Sequence, residues 1–214
     1  MPSSCDAFME LEDEDVWGET HDAQFGEGGR NWGAFEISHF DFDVSGPEDE
    51  EKDSAGHSHH GPKHHAPVGH AASGKRTGKH KEPTLGSFTV SKYVDKGSPD
   101  MFVSCFKKKK IKWAIISIRE TGEQNRQPFL VLEFQGVTVA SFKWDLTPGD
   151  PEGAASMETI TFNYETVLIK YSRQDPSGIH HPVKVKGWNK KKNDDDVDPL
   201  PFNQGPLRTG RAGR

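Results

Sequence analysis

The feature that most constrains this chain is the pattern of residues 111–119, 128–134, 137–142 and 157–173. These segments are rich in Val, Ile, Phe, Thr and Tyr, side chains that suit a pleated, half-buried strand better than a helix. Two stretches, Phe129-Leu130-Val131-Leu132 and Val167-Leu168-Ile169, are apolar at consecutive positions. Successive strand residues point to opposite faces, so these strands are apolar on both. An isolated antiparallel sheet keeps one face in water. A strand with two apolar faces must therefore also pack on a helix or on another subunit, and subunit contacts are expected at Phe129, Val131, Val167 and Ile169.

Further strands are expected at 6–11, 35–44, 85–94 and 182–185. The turn residues Thr121-Gly122-Glu123, Gln135-Gly136, Thr147-Pro148-Gly149-Asp150 and Asp175-Pro176-Ser177-Gly178 separate the strands in the second half. Within 35–44 the apolar phase changes between Ile37 and Phe40, as in a strand that carries a bulge or serves two surfaces. Ser98-Pro99-Asp100 reads as a helix start, with Ser98 as N-cap, Pro99 at the first helical position and an acid in the first turn. The helix spans 98–108 and ends among Lys107 to Lys110, cations at the negative end of its dipole. The fold predicted is mainly β: a closed antiparallel β-barrel with one short flanking α-helix.

Only 32% of the 214 residues are hydrophobic and the mean hydropathy is -0.80, low for a compact fold. The polar residues are concentrated, however. Residues 46–83 open with Glu48-Asp49-Glu50-Glu51, pass through seven histidines (57, 59, 60, 64, 65, 70 and 80) and end in the basic run around Lys75-Arg76 and Lys79-His80-Lys81. Such a Pro-, Gly- and His-rich segment buries too little apolar surface to offset its ordering entropy. The expected organisation is therefore barrel strands in 1–45, a disordered insert in 46–83, the rest of the barrel in 84–193 and a polar tail in 194–214.

Composition also excludes functions. A net charge of -6 argues against a nucleic-acid binder, and Lys107 to Lys110 read as a solvated helix end. Cys5 and Cys105 suggest neither a disulfide framework nor a zinc knuckle. The first eight residues show no basic start and no apolar run, so no cleaved secretory signal is expected, and no stretch is apolar for long enough to insert in a membrane. No G-x-S-x-G, H-E-x-x-H, C-x-x-C, P-loop or dinucleotide fingerprint is found, which points away from an enzyme and from any bound cofactor. His180-His181 reads as a surface pair beside Pro182. His57, His59, His60, His64 and His65 can collect imidazoles around Zn, Ni or Cu, yet no cysteine or placed carboxylate completes a first shell, so a polar insert is the simpler reading. Protonation near pH 6 would make the insert cationic together with Lys75, Arg76, Lys79 and Lys81.

Phe88, Lys92, Asp95-Lys96-Gly97-Ser98-Pro99 and Phe102 together resemble the F-x-x-x-K-x-x-D-K-A-S-P-x-L-F stretch of the Hcp family, the tube proteins of bacterial type VI secretion. Ile118-Arg119 with Gly122, Gln124 and Phe129-Leu130 resembles that family's next hairpin. Met157 to Tyr164 continuing to Tyr171 resembles its long penultimate strand, and Gly187-Trp188-Asn189 with the following lysines its ending. Asp6-Ala7-Phe8 and Gly18 to Asp22 fit its beginning, so the likeness covers about 5–44 and 84–193. It implies a barrel that closes into hexameric rings. The rings would stack head to tail inside a contractile sheath, behind a spike protein, and carry or protect secreted effectors. It also implies a protein made in the bacterial cytoplasm and exported through that apparatus. Two departures stand out: His39-Phe40-Asp41-Phe42-Asp43 replaces a Ser-Phe-Ser-Trp-Gly-like strand end, and 46–83 occupies the loop to which the family's ring stacking is assigned. The alternatives are a metal- or pH-responsive module on a barrel scaffold, or a tail-tube subunit of another contractile particle.

Overall fold

The computed structural model describes residues 4–13, 15–26, 33–46, 84–121, 127–145, 156–172 and 183–200. The strands are β1 (Cys5–Leu11), β2 (Phe35–Ile37), β3 (His39–Ser45), β4 (Thr84–Tyr93), β5 (Lys110–Glu120), β6 (Leu130–Asp145), β7 (Met157–Asn163), β8 (Thr166–Tyr171) and β9 (Lys184–Asn189), and the helix α1 covers Ser98–Lys107. Contacts divide the chain into two units, 1–43 with 86–214, and 44–85. In the smaller unit the described residues are few, and the Ser45 and Thr84 hydroxyls share a hydrogen bond of 3.0 Å.

All the strand pairings between elements of the larger unit are antiparallel, and the ladders run β2-β1-β5-β6-β7-β4-β3, with β8 pairing β6 and β9 pairing β8. The expected mainly-β, antiparallel class with one helix holds. The closed barrel does not: the ladder is an open path whose ends are β2 and β3. The reason lies where the apolar phase changes. Ser38 interrupts the strand, so β2 turns to β1 while β3 lies beside β4, and the Ser38 N–H donates to Ser91 O at 2.8 Å.

Three sequence expectations are corrected in detail. Gln135-Gly136 is no turn; β6 runs through it as one strand. Gly136 takes φ +63°, and the space a Cβ would need is filled by the Glu165 side chain, 2.7 Å away. The 157–173 strand breaks at Tyr164-Glu165 into β7 and β8, both of which keep company with β6. Ser98 is the first helical residue, with Gly97 in the N-cap position and no side-chain cap.

The core is aromatic. Phe88 stacks on Phe134 at 4.1 Å and on Phe162 at 4.9 Å, and Tyr164 meets Phe134 edge-on at 4.9 Å. Phe88, Phe134 and Phe162 are fully buried. Each such side chain contributes about 1.5–3 kcal/mol by leaving water. Alternation then dictates the opposite face of the β4–β7 ladder. There Thr89 pairs with Thr161 and Ser91 with Thr159 through hydroxyl hydrogen bonds of 3.1 Å, and the Ser87 hydroxyl donates to Asn163 at 2.7 Å. No helix among the described residues is long and apolar enough to cross a membrane.

Candidate assembly surface

The stretch from Lys92 to Pro99 closes on itself around a buried charge. Lys92, fully buried on β4, places Nζ 2.8 Å from Glu158 Oε1, 2.9 Å from Asp95 Oδ1 and 2.9 Å from its own neighbour's carbonyl, Tyr93 O. Glu158 is its cross-strand partner on β7 and equally buried; its second oxygen accepts from Trp144 Nε1 at 3.1 Å. The Ser98 hydroxyl accepts the Asp95 N–H, and Asp95 Oδ1 accepts the Gly97 N–H, each at 2.9 Å. Burial pushes the Asp95 carboxyl above the ordinary aspartate range even against the pull of Lys92. Phe35 lies under the ammonium at 4.9 Å. The knot fixes the entry of α1. A Cβ on Gly97 would lie 2.5 Å from Trp17 O, so the position suits glycine.

Helix α1 buries Met101 and Ser104 and presents Phe102, Val103 and Phe106 outward, Phe106 at 75% exposure. Phe102 meets Phe106 at 4.9 Å, Phe142 at 6.0 Å and Trp144 at 5.5 Å, the last stacked nearly parallel. The four rings form a ledge across α1 and the end of β6. Lys107 and Lys108 follow directly. Lys108 takes the left-handed conformation that stops the helix, as φ 47° shows. Lys109 and Lys110 turn back to Asp13, Asp15 and Glu165.

A second knot orders the segment between β1 and β2. Arg119, nearly buried on β5, pairs with Asp22 and lies 4.9 Å over the Phe8 ring and 5.7 Å over Phe25. Burial raises the Asp22 pKa, but the Arg119 hydrogen bond and the N–H groups of Gln24 and Phe25 outweigh it and hold the carboxyl below its ordinary range. Beside this knot opens a cavity of about 510 Å³ whose lining includes Asp6, Glu19, Asp22, Glu36 and Asp95 with Phe8.

At the far edge, β8 and β9 leave apolar side chains in solvent: Ile169, Tyr171 and Val185 are exposed. Of the four residues expected at subunit contacts, Ile169 is thus exposed, Phe129 and Val131 are half-buried, and Val167 is packed inside the subunit. His57, His59, His60, His64 and His65 lie outside the described residues, as do His180 and His181; among the described residues no cluster of His, Cys, Asp or Glu could hold a metal ion. Sequence reasoning passed over the aromatic ledge. Its signal was present in Phe102 and Phe106 four apart on a helix, and Phe142 and Trp144 two apart on a strand. The lysines after Trp188 do have a place: Lys190 Nζ sits 3.5 Å over the Tyr164 ring, Lys191 pairs with Glu165, and Asn189 Oδ1 accepts the N–H groups of Lys191 and Lys192.

Comparison with known proteins agrees with this arrangement. Protein hcp1 of Pseudomonas aeruginosa is 32% identical over 108 residues, which cover 50% of this chain and 64% of that protein, a little under two thirds of its length. Among solved structures, one described as a type six secretion system protein superposes with a TM-score of 0.66 at 18% identity, covering 89% of this chain and 99% of the other. Hcp1 from Salmonella typhimurium superposes with a TM-score of 0.59 at 21% identity, covering 90% and 99%. These structural likenesses establish a shared fold. Residues 63–171, just over half of the chain, match the family described as type VI secretion system effector, Hcp, and the chain belongs to that family.

Proposed function

We propose that this protein is the subunit of a type VI secretion inner tube, a structural and cargo-carrying element rather than an enzyme. Six copies would close into a ring, and rings would stack into a tube that works with a contractile sheath, a spike protein and secreted effectors. The β2–β3 strand would complete the barrel wall around Ser38 within the ring. The protein would be made in the bacterial cytoplasm and leave through the apparatus without a cleaved signal. Besides family membership, the observation that supports this reading is the apolar margin of β6, β8 and β9: Ile169 and Tyr171 stand in solvent on one face of the sheet, and Val185 stands in solvent on the other, the face of half-buried Val131. A monomer gains nothing from such a margin, whereas a ring contact buries it. The histidines of the insert are read as incidental to assembly, with no metal or other cofactor required.

The test is the mass in solution. The parent chain should run at about six times its 23.8 kDa by light scattering. Ile169→Asp, at an already exposed position, should give a folded species that no longer reaches that mass. A parent that stays at single-chain mass when concentrated would remove the ring and bring forward the module reading.

A further inference from the structure

The aromatic ledge and the acidic cavity are two unpartnered surfaces of opposite character on one subunit. The ledge carries Phe102, Phe106 and Trp144, all exposed, and continues into Lys107 and Lys108, which make no ion pair among the described residues. The cavity carries Glu19 and Glu36, both exposed; among the described residues Glu36 accepts a hydrogen bond from the Thr20 hydroxyl at 3.4 Å. Its lining also includes the exposed Tyr93, Val94 and His21, and its volume of about 510 Å³ admits several side chains. Both surfaces are set on rigid supports. The Lys92–Glu158 knot holds the start of α1, and the Arg119–Asp22 pair holds the wall of the cavity.

We propose that the aromatic ledge of one copy, with Lys107 and Lys108, docks onto the acidic cavity of a second copy of this chain. The argument for that occupant is complementarity. A basic, aromatic projection and an acidic recess lie on the same molecule but do not share residues, which a heterologous, head-to-tail contact requires. Aromatic anchors would supply the contact area and the lysine–glutamate pairs the register. This contact is distinct from the β6–β8–β9 margin, and it rests on the reading that the protein assembles from copies of itself.

A charge swap tests it on the full chain. Lys107→Glu with Lys108→Glu makes the ledge acidic; Glu19→Lys with Glu36→Lys makes the cavity basic. Each variant alone then meets its own copy like against like, and self-association should weaken at least tenfold by sedimentation velocity. An equimolar mixture of the two places opposite charges at every contact and should assemble again, less well as salt rises. Circular dichroism and melting curves establish that both variants are folded. Folded variants that associate as the parent does, or that fail alone and also fail when mixed, would overturn the proposal while leaving the tube reading in place. A parent that never associates would overturn both, and that result is separately visible in the parent sample.

Discussion

Replacing Lys92 by Met tests the claim that a buried charge knot, more than helix capping, holds α1 in place. Met keeps an apolar stem and removes the ammonium, together with its contact on the Phe35 ring. Glu158, fully buried, then loses the cation at 2.8 Å, and Asp95, 13% exposed, loses its contact at 2.9 Å. Removing one partner of a buried pair costs about 3–5 kcal/mol, because the remaining charge is left desolvated. For a chain of this size about 1 kcal/mol moves the melting temperature by 2–4 °C, so the expected fall is about 6–20 °C. Lys92→Met combined with Glu158→Gln removes the stranded charge while a Gln carbonyl still accepts from Trp144 Nε1. The double variant should therefore recover at least half of the loss. Guanidinium unfolding followed by far-UV circular dichroism measures both. A single variant that loses less than about 1 kcal/mol, or a double variant no more stable than the single, would refute the reasoning.

Other outcomes follow from the same geometry. Asp22 has its pKa depressed in the folded chain, so its pairing stabilises the fold above the ordinary aspartate range and is lost as pH falls through the folded value. Asp22→Asn should accordingly flatten the acid limb of a stability–pH curve, and an unchanged limb would count against the Arg119 knot. Gly97→Ala should destabilise by about 1–3 kcal/mol through the clash with Trp17 O, a cost read in thermal melts. Gly136→Ala should also destabilise, by about 1–2 kcal/mol for a non-glycine residue at φ +63°, with the flexible Glu165 side chain able to give way.

The regular parts of the fold were legible because alternation is a local signal. Phe88, Val90 and Lys92 on β4 face Phe162, Ile160 and Glu158 on β7, and their Ser and Thr neighbours fill the other side. The break at Ser38 showed itself as a change of apolar phase. What local pattern could not deliver was anything depending on which strand meets which. Gln135-Gly136 has turn chemistry, yet pairing with β5 on one side and β8 on the other carries β6 through it. Ser98 has N-cap chemistry, but its hydroxyl is taken by the Asp95 N–H. Lys92 and Glu158 are 66 positions apart in the sequence and become partners only through the β4–β7 register. Val167 lies on a strand that is apolar on both faces, and only the strand pairing shows that its side chain is buried in the subunit. The aromatic ledge likewise needs α1 laid against β6 before Phe102 and Trp144 meet.

The central claim, that this chain is a ring-forming tube subunit, is met most directly by negative-stain electron microscopy of the purified protein, first in chelator and then with added zinc. The account predicts hexameric rings in both samples, with metal making no difference. Monomers in both, even when concentrated, would contradict it.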